Sequence, residues 1–108
     1  MLDAKVIEAF KLMWGNFPEP VILAHKTREI MAVNKACAKI GRAAGMNCAK
    51  IGSPEDHQGC RGNEALATGQ AAVAKANVGG KEMLAYWLPL DGYPEYFVHF
   101  AVVPDNIK

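Results

Sequence analysis

In two segments near the end of the chain, successive side chains would point to opposite faces of a β-strand, and the residues on both faces are mostly apolar. Along 96–103, one face carries Tyr96, Val98, Phe100 and Val102, and the other carries Phe97, His99, Ala101 and Val103. Along 83–90, one face carries Met83, Ala85 and Trp87, and the other carries Leu84, Tyr86, Leu88 and Leu90. A strand with one solvated face would instead alternate apolar with polar residues. Leaving such side chains in water would forgo about 1.5–3 kcal/mol each, so the pattern predicts a sheet that is covered on both sides.

The remaining sequence supplies further strands for this sheet. Two apolar runs, 20–24 and 30–33, flank the polar turn 26–29, which is typical of a β-hairpin. The glycine pair 79–80 and the turn 91–94 separate three further strands, predicted at 71–78, 81–90 and 95–103. The sequence therefore predicts five strands.

Helices are predicted at 2–14, 35–44 and 63–67. Asn34 suits a helix start because its side-chain oxygen can accept a bond from an unpaired N–H of the first turn. The helix that follows, 35–44, carries Cys37, Ile40 and Ala44 at helical spacing. A second helix is predicted at 63–67, within an irregular stretch (45–69) rich in turn residues.

The N-terminal segment 2–14 is predicted to be an amphipathic helix, ending at Gly15. Its apolar residues recur at spacings of three and four: Leu2, Val6, Phe10, Met13 and Trp14. This helix, or a second copy of the chain, must cover the second face of the sheet. We therefore expect a homodimer whose interface candidates are Val6, Phe10, Met13 and Trp14, and a division into a helix at 1–18 and a core at 19–108.

Composition narrows the classes of function. The 108 residues carry a net charge of +1 without a cluster of basic residues, so no nucleic-acid surface is expected. No apolar run approaches the about 18 residues of a membrane span, and three cysteines do not suggest a disulfide framework. The sequence lacks the phosphate-loop, zinc-protease and serine-hydrolase motifs. We expect a cytoplasmic protein that is not an enzyme.

The stretch 19–36 resembles the opening of a PAS domain. The positions that match are Pro20, Val21, Ile22 and Leu23 on the first strand, then Ile30, Asn34 and Ala36. The resemblance covers about 10–103 and implies an α+β fold. It implies a five-stranded antiparallel sheet in the order 2-1-5-4-3, with short helices on one face. It also implies a sensory or interaction domain of bacterial signal transduction, which binds a small ligand or cofactor and signals through a dimer to an effector domain or partner.

The resemblance also implies a cavity between the sheet and the short helices. Candidates for lining it are apolar: Cys37, Ile40, Leu66, Trp87 and Phe100. Such a lining suits many molecules, so the sequence leaves the identity of the ligand open.

A metal- or redox-sensing domain is the alternative. His57 and Cys60 have the two-residue gap that lets two ligands reach one metal, and Cys48 lies nearby in the sequence. Some bacterial PAS domains carry a similar cysteine motif before a helix ending that is matched here by Ala65, Leu66, Thr68 and Gly69. Zinc or iron could be held, with Cys37 or His25 as a fourth ligand. Otherwise Cys37 and Cys48 are small buried hydrophobic residues.

Flavin and haem are two further cofactors to consider. The segment 45–48 resembles the start of the flavin-binding LOV motif, but 49–52 lacks the arginine and glutamine with which that subclass holds flavin. Flavin is therefore not expected. Haem would need an axial histidine, for which His57, His99 and His25 are available, although a lone histidine is more often structural. The cofactor thus stays open between metal, haem and none.

Overall fold

The computed structural model describes residues 2–51, 60–78 and 80–103, and a five-stranded antiparallel sheet forms its centre. The strands are β1 (Val21–His25), β2 (Ile30–Val33), β3 (Ala72–Val78), β4 (Lys81–Leu90) and β5 (Tyr93–Val102). The helices are α1 (Leu2–Trp14), α2 (Lys35–Lys39) and α3 (Gly62–Thr68), with a 3-10 turn at Cys48–Lys50. The strand order is β2-β1-β5-β4-β3, so the predicted fold class and strand order are confirmed. Among these residues we find no helix with the length and hydropathy that a membrane-spanning helix requires.

Both faces of the sheet are buried, as the two apolar faces of the C-terminal strands predict. The inner face, packed against α2 and α3, holds the cluster Ile22, Ala24, Ile30, Cys37, Ala65, Ala72, Ala85, Trp87 and Phe97. The outer face holds a second cluster, composed of Val6, Phe10, Val21, Leu23, Ala32, Tyr96 and Val98. In β1 the two sets alternate along the strand, and residues 21–24 are all buried. The two clusters therefore share the same strands.

Helix α1 of the same chain covers the outer face at β1 and β2, whereas Val73 on the outer side of β3 is exposed. Val6 is 5% exposed and Phe10 is 4% exposed, whereas Leu12 and Met13 are 86% and 77% exposed. The helix ends at Gly15, whose N–H donates to the Lys11 carbonyl at 3.0 Å. A Cβ at position 15 would lie 2.5 Å from that carbonyl oxygen, which explains the glycine.

Asn34 connects α1 to the rest of the fold. It is 2% exposed, and its Oδ1 accepts from the N–H of Val21 and of Cys37, both at 3.0 Å. The second of these bonds confirms that Asn34 caps α2. Its Nδ2 lies at hydrogen-bonding distance from three carbonyl oxygens of the segment that follows α1: Trp14 at 3.3 Å, Phe17 at 3.1 Å and Glu19 at 2.9 Å. One amide thus holds the end of α1, the start of β1 and the start of α2 together.

Several element boundaries differ from the predictions. Helix α2 ends at Lys39 and does not reach Ala44, because Gly41 has a left-handed backbone with φ of +90°. Helix α3 is one residue longer at each end than the predicted 63–67. Strand β5 begins at Tyr93, inside the predicted turn, because Gly92 with φ of +82° completes the reversal earlier.

Candidate functional site

Trp87 is the most unusual polar group on the inner face. The residue is 4% exposed, and its indole Nε1–H has no hydrogen-bond acceptor among the described residues. Its ring stacks on that of His99, with centroids 4.8 Å apart and an interplanar angle of 11°. Leaving a buried donor unpaired costs about 1–3 kcal/mol, so a native structure that keeps one needs an explanation.

Alanines surround Trp87 on the inner face of β3, β4 and β5. In the sheet register Ala72 lies opposite Trp87, Ala74 opposite Ala85, and Ala85 opposite Ala101. Helix α3 packs over these strands and contributes Ala65 to the same cluster. These alanines project less from the sheet than a Leu or Phe side chain would, and they pack with Trp87 in one buried cluster. The inner face therefore combines small side chains with one buried donor.

His99 is held in one orientation beside Trp87. Its Nδ1 lies 2.9 Å from the backbone carbonyl oxygen of Tyr86. Since a carbonyl oxygen can only accept, the proton resides on Nδ1, and a neutral His99 carries its lone pair on Nε2. The stacked pair thus has a fixed arrangement of polar atoms.

Arg28 fastens the start of α3 to the β1–β2 turn. Its Nη1 donates to the Lys26 carbonyl oxygen at 3.0 Å and its Nη2 donates to Asn63 Oδ1 at 2.9 Å. The guanidinium carbon lies 5.2 Å from the centre of the Phe97 ring. Gly62 leaves the necessary space, because a Cβ there would lie 3.0 Å from Arg28 Nη2 and 3.1 Å from Phe97 Cζ. Arg28 thereby links the β1–β2 turn to Phe97 and to the start of α3.

Two of the three candidate metal ligands, Cys48 and Cys60, lie within the described residues. Cys48 is half-buried, and its N–H donates to the Arg28 carbonyl at 2.8 Å, while Cys60 is exposed. Burial raises the pKa of the Cys48 thiol, and the neighbouring Cys60 raises it further against the opposing effect of Arg28. The third candidate, His57, lies outside the described residues. Within 2–51, 60–78 and 80–103, no group of three or more metal-binding side chains converges.

The five candidates for a ligand cavity do not share one face. Cys37, Leu66 and Trp87 belong to the inner cluster. Ile40 is 56% exposed, because α2 ends before it and cannot carry it over the sheet. Phe100 lies on the outer face, where its ring stacks on Tyr86 at a centroid distance of 5.1 Å. The structure therefore separates Ile40 and Phe100 from the other three.

The four residues expected at a dimer interface differ in their exposure. Val6 and Phe10 are buried against this chain's own sheet, Trp14 is half-buried, and Met13 is exposed. Met13 borders an outer cleft of about 340 Å³ between α1 and the β4–β5 turn, which also involves Lys5 and Asp91. Only part of the predicted set is thus available to a second chain.

The stacking of Trp87 on His99 and the contacts of Arg28 were not anticipated from the sequence, although Trp87 and His99 were themselves candidates. Alternation places Trp87 with Ala85 on one face of β4 and His99 with Phe97 on one face of β5. Alternation alone does not show that these two faces lie on the same side of the sheet. Arg28 looked like an ordinary turn residue, although it stands at φ of +76°, where non-glycine residues are uncommon.

Three solved structures show the similarity of this fold to known proteins. A domain of an HTR-like protein from Haloarcula marismortui matches with a TM-score of 0.66 and 19% identity, over 79% of this chain and 96% of that one. A sensory box sensor histidine kinase from Vibrio cholerae matches with a TM-score of 0.65 and 13% identity, over 91% and 88% of the two chains. The PAS domain of BvgS from Bordetella pertussis matches with a TM-score of 0.60 and 13% identity, over 91% and 84%.

These similarities establish the fold, which is that of PAS domains. Neither a protein-family model nor a curated protein sequence matches the chain. The functional argument therefore depends on the residues of the inner face.

Proposed function

We propose that the chain is a sensory PAS domain that binds a small molecule on the inner face of its sheet. The N–H of Trp87, which has no acceptor within the described part of the chain, is the observation that carries this proposal, because a ligand with a hydrogen-bond acceptor would satisfy it. An apolar ligand body would pack against the small alanine side chains beside it, once α3 moves away from them. The similarity in fold to a sensor histidine kinase supports a sensory role.

Signalling would pass through the sheet to α1. Neighbouring residues of β4 point to opposite faces, so Trp87 on the inner face adjoins Tyr86 on the outer face. Tyr86 stacks on Phe100, whose ring centre lies 5.3 Å from that of Trp14 at the end of α1. A ligand that prefers one arrangement of these layers would shift the population toward it.

The test uses the indole N–H signals of the two tryptophans in a nitrogen–proton correlation spectrum. Small aromatic ketones and amides are added, along with matched hydrocarbons that lack the carbonyl. We expect a ketone or amide to shift the Trp87 signal, the hydrocarbons to leave it in place, and Trp87→Phe to weaken binding about tenfold. Trp14→Phe is the matched control and should bind normally. Equal binding by Trp87→Phe would contradict the proposal.

We further propose that the domain acts as a homodimer that communicates with an effector domain or partner in the bacterial cytoplasm. Met13, which is exposed and lines the outer cleft, supports a contact through α1, since an exposed apolar surface often marks a protein–protein interface. Sedimentation at high micromolar concentration should show a dimer, and Met13→Glu should shift it toward monomer. A monomer throughout would contradict this contact, and Lys11→Glu on the same helix is the charge control.

Metal or redox sensing by Cys48, His57 and Cys60 is the second candidate function. The pKa of the Cys48 thiol supports it, because Cys60 contributes to raising that pKa beside the larger effects of burial and Arg28. Zinc or iron bound there would be held by thiolates and imidazole. Elemental analysis of protein purified without added metal should find a metal in the natural chain and lose it in Cys60→Ser. Absence of metal from both would exclude the metal-binding form.

A further inference from the structure

The segments that carry Cys48 and Cys60 both contact the β1–β2 turn. Cys48 is fixed by the bond from its N–H to the Arg28 carbonyl and by a β-bridge between the preceding Asn47 and Glu29. Cys60 precedes α3, and the start of α3 is bound to the same arginine through the Arg28–Asn63 hydrogen bond of 2.9 Å. Arg28 therefore contacts both the backbone of Cys48 and the start of α3 at Asn63, three residues after Cys60.

The two cysteines differ in a way that suits oxidation in two steps. Cys60 is exposed, whereas Cys48 is half-buried and packs against the inner cluster. Cys37 is fully buried within that cluster. A soluble oxidant would therefore meet Cys60 first, and the nearby Cys48 would react next.

We propose that Cys48 and Cys60 form a reversible intrachain disulfide when the protein meets a peroxide. This inference deepens the second candidate function and does not depend on a ligand at Trp87. In the first step the Cys60 sulfur attacks hydrogen peroxide, giving a sulfenic acid and one water. In the second step the Cys48 sulfur attacks the Cys60 sulfur, the S–O bond breaks, and the released hydroxide takes the remaining thiol proton to form a second water. Two thiols are oxidised and one peroxide is reduced.

The bond would fix the start of α3 to the 3-10 turn at Cys48–Lys50. At present that connection depends on hydrogen bonds through Arg28. A covalent link would hold α3 against the inner face and would limit the movement that a ligand there requires. The oxidation state of this pair would then set how freely the inner face opens.

The experiment treats the reduced 108-residue chain with one equivalent of hydrogen peroxide. We expect the intact mass to fall by two hydrogen atoms, a non-reduced peptide map to join Cys48 to Cys60, and dithiothreitol to reverse the change. Cys37→Ser is the matched control and should behave like the natural chain. Cys48→Ser should instead accumulate a sulfenic acid at Cys60 that dimedone traps.

Three results would overturn the proposal: a bond that includes Cys37, a bond between two chains, or over-oxidation of Cys60 without a crosslink. The map of the natural chain decides this even if a variant fails to fold. Metal analysis of the reduced sample separates the outcomes, because a bound metal that prevents crosslinking would support metal sensing and contradict the disulfide. Loss of small-molecule binding would contradict only the proposed ligand site at Trp87 and would leave the disulfide proposal unaffected.

Discussion

At the scale of single residues, Asn34 illustrates how one polar side chain can organise several elements. Its Oδ1 serves both the start of β1 and the start of α2, and its Nδ2 serves the segment after α1. All of these partners lie in a buried or partly buried setting, where an unpaired group is costly. The stability of the whole domain should therefore be sensitive to this amide.

We predict that Asn34→Ala lowers the free energy of unfolding by about 2–5 kcal/mol, because it leaves the N–H groups of Val21 and Cys37 without their acceptor. Urea denaturation followed by circular dichroism measures this. Asn47→Ala is the matched control, since Asn47 also caps a turn but is only half-buried, and it should cost about 1 kcal/mol. Equal effects of the two substitutions would contradict the role given to Asn34.

Thiol reactivity is predicted to follow the order Cys60, Cys48, Cys37. Burial raises the pKa of Cys37 and of Cys48, so both stay protonated to a higher pH than an ordinary cysteine. Their alkylation rates should keep rising above pH 9.0, the ordinary pKa, because only the thiolate reacts. For the same reason their contribution to stability is complete below that pH and is lost as the pH rises through the raised values. Mass spectrometry of iodoacetamide-treated protein gives the order, and urea should abolish it.

How far the sequence predicts single residues depends on the range of their contacts. The capping role of Asn34 was predicted because it involves the next helical turn. Its bonds to Val21, Phe17 and Glu19 were not, since they join residues 13 to 17 positions apart. Likewise, the alternation in β5 correctly separated Phe100 from Phe97, but it could not show which set faces the short helices.

At the scale of elements, α1 replaces solvent over the part of the outer face formed by β1 and β2. Val6 and Phe10 supply its buried contacts, while Leu12 points away from the sheet. The amphipathic pattern predicted the helix and its ability to cover the outer face. The short length of α2 was not recognised, because the apolar spacing continued past Lys39 and hid the effect of Gly41.

We predict that Phe10→Ala lowers the free energy of unfolding by about 3–5 kcal/mol, since it removes a buried ring and leaves a cavity under α1. Leu12→Ala lies on the same helix but is 86% exposed, and should change stability by less than about 0.5 kcal/mol. Thermal or urea unfolding of both variants provides the comparison. A larger effect at Leu12 than at Phe10 would show that α1 packs through its other face.

We predict that Gly62→Ala destabilises the fold by about 1–3 kcal/mol, even though alanine favours helix formation. The added methyl group would meet Arg28 Nη2 at 3.0 Å and Phe97 Cζ at 3.1 Å. A double-mutant cycle with Arg28→Ala tests the cause. The two substitutions should be less than additive, because removing the guanidinium removes part of the clash, whereas strict additivity would contradict the contact.

At the scale of the whole molecule, two clusters that share one sheet should unfold together. Trp14 lies on the outer face and Trp87 on the inner face, and they are the two tryptophans of the chain. In Trp14→Phe the remaining fluorescence reports on Trp87, and in Trp87→Phe it reports on Trp14. We predict that, in each variant, the urea midpoint measured by fluorescence coincides with the midpoint measured by circular dichroism. An earlier fluorescence midpoint in Trp87→Phe, which reports on Trp14, would show that α1 detaches by itself.

The backbone of Arg28 has a consequence for natural variation. The residue stands at φ of +76°, a conformation that glycine adopts more easily, yet it supplies the guanidinium that lies against Gly62 and Phe97. Positions 28 and 62 should consequently change together during evolution. In a related sequence with glycine at position 28, position 62 no longer needs to be glycine and can carry a side chain.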